Sequence, residues 1–245
     1  LEEMNTVNLN SVGINDIEKV GGKAASLGEL IKSLSGEKDQ MLNNINVPGG
    51  FVVTVNAYVE YMKYNGITAD ENIDSNSLRT KIINGKYPEG LKNKIIESYN
   101  KLNSKDVAVR SSATSEDLPD ASFAGQQDTF LHISNAEDVC EKIKHCFASL
   151  YNERAVSYRS NIMKDIEKER IAMAVVVQEM VRSDTGVSGV AFSLDTESGY
   201  KEIVLINASY GLGESVVSGS VTPDEYIVFK KTGKCISKRL GHYNY

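Results

Sequence analysis

Two regimes of hydrophobic patterning divide the 245-residue chain. Before Arg170 apolar residues recur mainly at helical spacing, and after it they cluster in β-branched runs separated by turn residues. In "KAASLGELIKSL", residues 23–34, Leu27, Leu30, Ile31 and Leu34 form one stripe directly after Gly21 and Gly22, which predicts an amphipathic helix with a glycine-rich start. "GEKDQMLNNIN" reads as a polar loop, "VPGGFVVT" as a turn into a short strand ending near Thr54, and a helix is expected from Asn56. Residues 66–86 are polar and poorly periodic. "PEGLKNKIIESYNKL" puts Leu91, Ile95, Tyr99 and Leu102 on one face, with Pro88 suited to a first turn. A strand "VAV" follows. Residues 137–160 carry the longest helical pattern, with Ile143, Phe147 and Leu150 inward and Lys144 and Arg154 elsewhere. The runs "IAMAVVVQEMV", "GVSGVAFSL", "EIVLINASYG" and "DEYIVFK" then predict successive strands. A helix-rich part precedes a sheet-rich part, an α+β pattern.

Composition changes this picture little and narrows the chemistry. Hydrophobic residues at 41% and charged residues at 24% are those of a globular protein with a sizeable core. A net charge of −6 with scattered Lys and Arg offers no footprint for nucleic acid or an anionic membrane, so an anion site must be local. Cys140, Cys146 and Cys235 are too few and too irregularly spaced for a disulfide framework or paired zinc ligands, and read as reduced packing residues. With no secretory signal or membrane-length apolar run, a cytoplasmic location is expected.

The residues with chemical potential lie at the ends of the predicted strands. Arg110 follows "VAV" and precedes Ser111, Ser112, Thr114 and Ser115, so a guanidinium would sit beside hydroxyls and freed backbone amides, a setting suited to phosphate. An ion pair with Glu116 or Asp117 explains the same arginine. Gly125 in "SFAGQQDT" would let backbone N–H groups approach an anion, or simply make a turn. Lys23 in "GGKAAS" could add its charge to a helix N-terminus; the Walker A pattern fails, because Ile17 and Ala24 stand where it needs glycine and a hydroxyl. Gln178 and Glu179 follow three valines and would either meet a purine edge or face water on an edge strand. Glu214, in a glycine-rich turn that is not GxGxxG, could accept from a sugar hydroxyl or cap the next segment. His132, His145 and His242 are not clustered.

Taken together, "VGGKAASLGEL", "VPGGFVVT", "VAVRSSATSEDLPDASFAGQQDTF", "FASLYNERAVSYR", "QEMVRSD", "SGVAFSLDTESG" and "SYGLGESVVSGSVTPDEY" resemble, in order and over nearly the whole chain, the N-terminal ATP-grasp nucleotide-binding domain of the phosphoenolpyruvate synthase (pyruvate, water dikinase) family. The resemblance implies an ATP-grasp-like, two-lobed nucleotide-binding domain, C-terminally truncated, with residues 1–180 as the phosphate-gripping lobe and 181–245 as an incomplete β-rich second lobe. It implies that Lys23 and Arg110, with Ser111 and Thr114, grip the ATP phosphates under the Gly125 loop. Gln178, Glu179, Met180 and Val181 would form the adenine-contacting hinge, and Glu214 would lie near the ribose. ATP and Mg²⁺ are the implied cofactors, with metal ligands expected beyond Tyr245. The partners implied are the phosphohistidine and pyruvate domains of a complete enzyme, which converts pyruvate and ATP to phosphoenolpyruvate, AMP and phosphate. No swivel-histidine motif or pyruvate barrel is present, so the chain alone is not expected to complete that reaction. Rifampin phosphotransferases share the RSSAT and SFAGQ blocks, and "FSLDTESG" favours the synthase over them; pyruvate, phosphate dikinases are disfavoured because their arginine motif reads RSGA rather than RSSA, and a non-catalytic nucleotide-binding module is a reading of a different class.

Overall fold

The computed structural model describes residues 4–35, 44–68, 74–114, 128–152 and 172–242, and the chain divides into two compact units, Leu1–Met180 and Val181–Tyr245. The first unit is built on a five-stranded antiparallel sheet ordered β1 (Thr6–Asn8), β2 (Gly50–Val53), β5 (Met173–Glu179), β3 (Val107–Ala113) and β4 (Thr129–Ile133). Successive strand residues face opposite sides, and β5 shows what this does to composition. Met173, Val175 and Val177 enter one hydrophobic cluster, whereas Ala174 and Val176 enter another on the opposite face. Being covered on both sides, the strand has no room for a polar alternation, which is why it reads as an unbroken apolar run.

The larger cluster is closed by α2 (Val55–Tyr64), α3 (Ser75–Ile83), α4 (Glu89–Leu102) and α5 (Ala136–Ser149). Three of these helices start on side-chain caps: Thr54 accepts from Ala57 N–H (3.3 Å), Asp74 from Ser77 N–H (3.0 Å) and Asn135 from Asp138 N–H (2.9 Å). Leu91, Ile95 and Tyr99 of α4 and Ile143, Phe147 and Leu150 at α5 are buried, as their spacing predicts. The opposite face is covered by α1 (Ile17–Ser35) together with Val7, Leu9 and Val12.

Several expectations are corrected. The stripe Leu27–Leu34 is not the main buried face of α1: Ala24, Ala25 and Gly28 are buried, and Leu30 is exposed. Small residues win because the helix lies close to its neighbours; a Cβ on Gly28 would stand 2.3 Å from the Val12 carbonyl oxygen. The polar stretch 66–86 contains α3, whose two buried anchors, Leu78 and Ile82, are four residues apart and too few to make a strong period. Lys144 is buried, its Nζ 3.3 Å from the Gly85 carbonyl and 5.7 Å from the Tyr87 ring centre, its stem serving as packing. Cys140 and Cys146 are buried packing residues, but Cys235 is exposed. Arg154 lies outside the described residues.

The second unit carries a four-stranded antiparallel sheet in sequence order: β6 (Val187–Phe192), β7 (Ile203–Tyr210), β8 (Asp224–Phe229) and β9 (Lys234–Arg239). A short helix, α6 (Gly213–Val217), follows β7. Among the described residues no helix is long and apolar enough to cross a membrane.

Candidate nucleotide-phosphate site

The segment "VAVRSSA" is one continuous strand, so the expectation of freed amides after Arg110 is corrected: Arg110, Ser111, Ser112 and Ala113 pair with Val176, Val175, Ala174 and Met173 of β5. Serines tolerate this central position because each hydroxyl has a partner. Ser111 donates to the Asp128 carbonyl (3.1 Å), which also takes the Ser111 N–H (3.2 Å). Thr114 closes the strand, its N–H on the Ala172 carbonyl (3.1 Å) and its hydroxyl accepting from Ala172 N–H (3.1 Å).

Ser112 acts at longer range. Helix α1 is broken at Gly21, whose φ of 76° is in the region that favours glycine. In an unbroken helix Ala24 N–H would donate to the Val20 carbonyl. The Ser112 hydroxyl stands in that gap instead, accepting from Ala24 N–H (3.1 Å) and donating to Val20 C=O (2.8 Å). The approach is close: a Cβ on Gly21 would lie 2.0 Å from the Ser112 carbonyl oxygen. Beyond the break the helix resumes, and Lys23 in its first turn reaches with Nζ to the Ser111 carbonyl at 2.6 Å. Lys23 and Arg110 are therefore both held beside Ser111, one by a bond to its carbonyl and one by chain adjacency. The Lys23 charge is also felt by Cys146, whose thiol is pushed well up by burial, pushed further by Asp128 and held back by Lys23.

Arg110 donates from Nη1 to Gln178 Oε1 at 3.2 Å, and Gln178 Nε2 donates to the Pro48 carbonyl at 3.0 Å. Gln178 is buried and β5 is the middle strand, which removes the solvent-facing edge-strand reading. Glu179 N–H is held by Gly49 C=O (2.9 Å) and Met180 N–H by Asp106 C=O (3.0 Å). Asp106 in turn bonds His132 Nδ1 through its carboxylate (2.7 Å). Val181 and Glu214 belong to the second unit; both are exposed, Glu214 in the first turn of α6. Gly125 lies outside the described residues.

The structure thus bonds Lys23 to the Ser111 backbone and Arg110 to Gln178, at consecutive residues of β3. Gly21, Pro48 and Ser112 support it and were not singled out as site residues in the sequence. Their signals were "GGK", "PGG" and the second serine of "RSSA", each too short to distinguish a support from a turn.

A family model described as "Pyruvate phosphate dikinase, AMP/ATP-binding domain" matches residues 17–244. The chain belongs to that family. Its curated relatives include the phosphoenolpyruvate synthase of Aquifex aeolicus, 48% identical over 95% of this chain and 29% of the relative. Those of Neisseria meningitidis and Escherichia coli K12 are 47% and 43% identical over 90% and 91% of this chain, and 30% of each relative. The chain therefore spans about 30% of the length of the relatives it matches. Lys23 and Arg110 carry cationic donors of the kind that match phosphate oxygens. Among the described residues, no group of three or more His, Cys, Asp or Glu side chains is placed to hold a metal ion. No Mg²⁺ ligand is therefore assigned.

Proposed function

We propose that this chain is the ATP-binding part of a phosphoenolpyruvate synthase, with an ATP-grasp-like fold in which residues 1–180 hold the phosphates and 181–245 contribute to a second lobe. Lys23 and Arg110 grip phosphate oxygens, assisted by Ser111, Thr114 and the loop carrying Gly125. Gln178 through Val181 form the hinge stretch that borders the adenine, with no base contact from the buried Gln178 side chain, and Glu214 meets the ribose. In the complete enzyme the β-phosphoryl group passes to a histidine on another domain and then to pyruvate, yielding phosphoenolpyruvate, AMP and phosphate. Mg²⁺ bound with the nucleotide would supply neutralisation of phosphate charge.

The single observation that carries this reading is that Lys23 bonds the backbone of β3 at Ser111, the residue next to Arg110. Phosphoryl transfer depends chiefly on positioning and on stabilising charge, and two cations tied to an inner strand of the sheet supply both. The names of the relatives support a synthase over a rifampin phosphotransferase. The test is pyruvate-dependent AMP formation by the complete parent enzyme. Arg110→Ala is expected to slow it on the order of a hundredfold, as loss of one transition-state donor does. Turnover close to that of the unmodified enzyme would return Arg110 to a structural role.

A further inference from the structure

Gln178 sits where a base-contacting residue is expected, yet its side chain is committed elsewhere. Its two amide ends are used in opposite senses: Oε1 accepts from the Arg110 guanidinium at 3.2 Å and Nε2 donates to the Pro48 carbonyl at 3.0 Å. This fixes the amide orientation. A flipped amide would set NH₂ against the guanidinium and oxygen against a carbonyl, losing both bonds. Only 6% of the residue is exposed, so little of it is left for a ligand to touch.

The register explains why Gln178 can reach the arginine. Gln178 pairs with Ala108 and Arg110 with Val176, so the two side chains are diagonal neighbours on the sheet face that also carries Ala174 and Val176 against α1. On its other side Gln178 pairs with Gly50, where a Cβ would come within 2.4 Å of the Val177 carbonyl oxygen. The "PGG" segment leading into β2 can therefore run close beside β5 and present the Pro48 carbonyl to the amide. Proline has no N–H, so its carbonyl is its sole backbone bonding group, and here it is used as an anchor.

We infer that Gln178 is a positioning residue for Arg110: it transmits the fixed geometry of the Pro48–Gly50 segment to the guanidinium that receives nucleotide phosphate, and it does not read the base. The inference rests on the phosphate role proposed for Arg110. A neutral amide suits this task better than a carboxylate, because it orients the guanidinium without neutralising it for an incoming anion. The Pro48 carbonyl, the amide and the arginine form one relay from backbone to phosphate.

The test uses this chain, with dissociation constants for ATP and for adenosine measured by NMR titration on the unmodified chain, Gln178→Met, Arg110→Ala and the double variant. Gln178→Met, which keeps the unbranched shape and removes both polar ends, is expected to weaken ATP about tenfold, the worth of one hydrogen bond to a charged group. Adenosine affinity should stay unchanged, and Gln178→Met should add nothing once Arg110 is alanine. The ATP-to-adenosine ratio is the deciding quantity, since a general loss of packing lowers both affinities together. Gln178→Glu is a second variant that keeps shape and acceptor: its ion pair with Arg110 should compete with phosphate and lower the same ratio. Equal losses for ATP and adenosine, an unchanged ratio in Gln178→Glu, or independent losses in the double variant would each overturn the inference while leaving the phosphate site standing. ATP affinity indifferent to Arg110→Ala would overturn both.

Discussion

Strands β5 and β9 both lie in antiparallel sheets, yet six of the seven residues of β5 are buried and all six of β9 are exposed. The contrast extends to the units that contain them. Both hydrophobic clusters of the described residues draw only on positions before 180, whereas in the second unit burial is limited to a few positions of β7 such as Ile203, Leu205 and Ser209. The first unit is held by side-chain packing on both faces of its sheet; the second depends largely on its backbone ladder. Chemistry that requires fixed charges belongs on the more rigid framework. Lys23 is seated where a helix meets β3, Arg110 is on β3 itself, and Gln178 is on the central β5.

The comparison can be broken most readily by truncating one side chain in each unit. Phe147 is fully buried and packs against Tyr58 and Tyr61, with ring centres 5.3 and 5.5 Å away. Phe147→Ala should cost about 3–5 kcal/mol in urea unfolding. Ile236, 61% exposed on β9, should cost within about 0.5 kcal/mol on replacement by Ala. Comparable losses would show that the second unit has a core of its own.

A somewhat smaller effect is expected at Gly21. Alanine there combines a positive φ with a Cβ 2.0 Å from the Ser112 carbonyl oxygen, so β3 and α1 must separate. A loss of about 3 kcal/mol is predicted, with chemical-shift changes concentrated around Lys23 and Ser112. An unchanged melting temperature would mean that the contact between α1 and β3 is loose and that Lys23 is not held by it.

The cysteines sharpen the same contrast by chemistry. Burial pushes the Cys140 thiol up to about 11 and raises Cys146 as well, so both stay protonated and shielded in the folded state. Cys235 is exposed. A thiol reagent near neutral pH should modify Cys235 alone until the protein unfolds. A raised thiol pKa favours the folded state only while the unfolded thiol is also protonated. Stability should therefore fall as pH rises from the ordinary thiol value towards about 11. Rapid labelling of Cys146 in native protein would contradict the packing around Asp128.

How far the sequence spoke depended on how regular each signal was. The helices with three or more anchors at helical spacing, α4 and α5, were legible, although α5 ends at Ser149 where its pattern reads on to residue 160; so were the β-branched runs. Helix α3, with two anchors, was not. Small residues hid the buried face of α1, since Ala24, Ala25 and Gly28 contribute little to a hydrophobic stripe while permitting the closest packing. At the site, Arg110 and Lys23 stood out by charge, and resemblance placed them together. Their supports did not stand out. Ser112, Gly21 and Pro48 act through hydroxyl, missing Cβ and backbone carbonyl, groups whose meaning depends on a partner distant in sequence: Ser112 bonds Val20 and Ala24, and Pro48 bonds Gln178.

The central claim, that the phosphate grip belongs to the first unit, is tested most directly with a ligand that has phosphates but neither base nor sugar. Inorganic tripolyphosphate titrated into the labelled chain should shift the amide signals of Lys23, Ala24 and residues 110–112 and leave those of β6–β9 in place. The shifts should vanish in a variant with Lys23→Met and Arg110→Ala. Shifts confined to β6–β9, or undiminished in that double variant, would contradict the account.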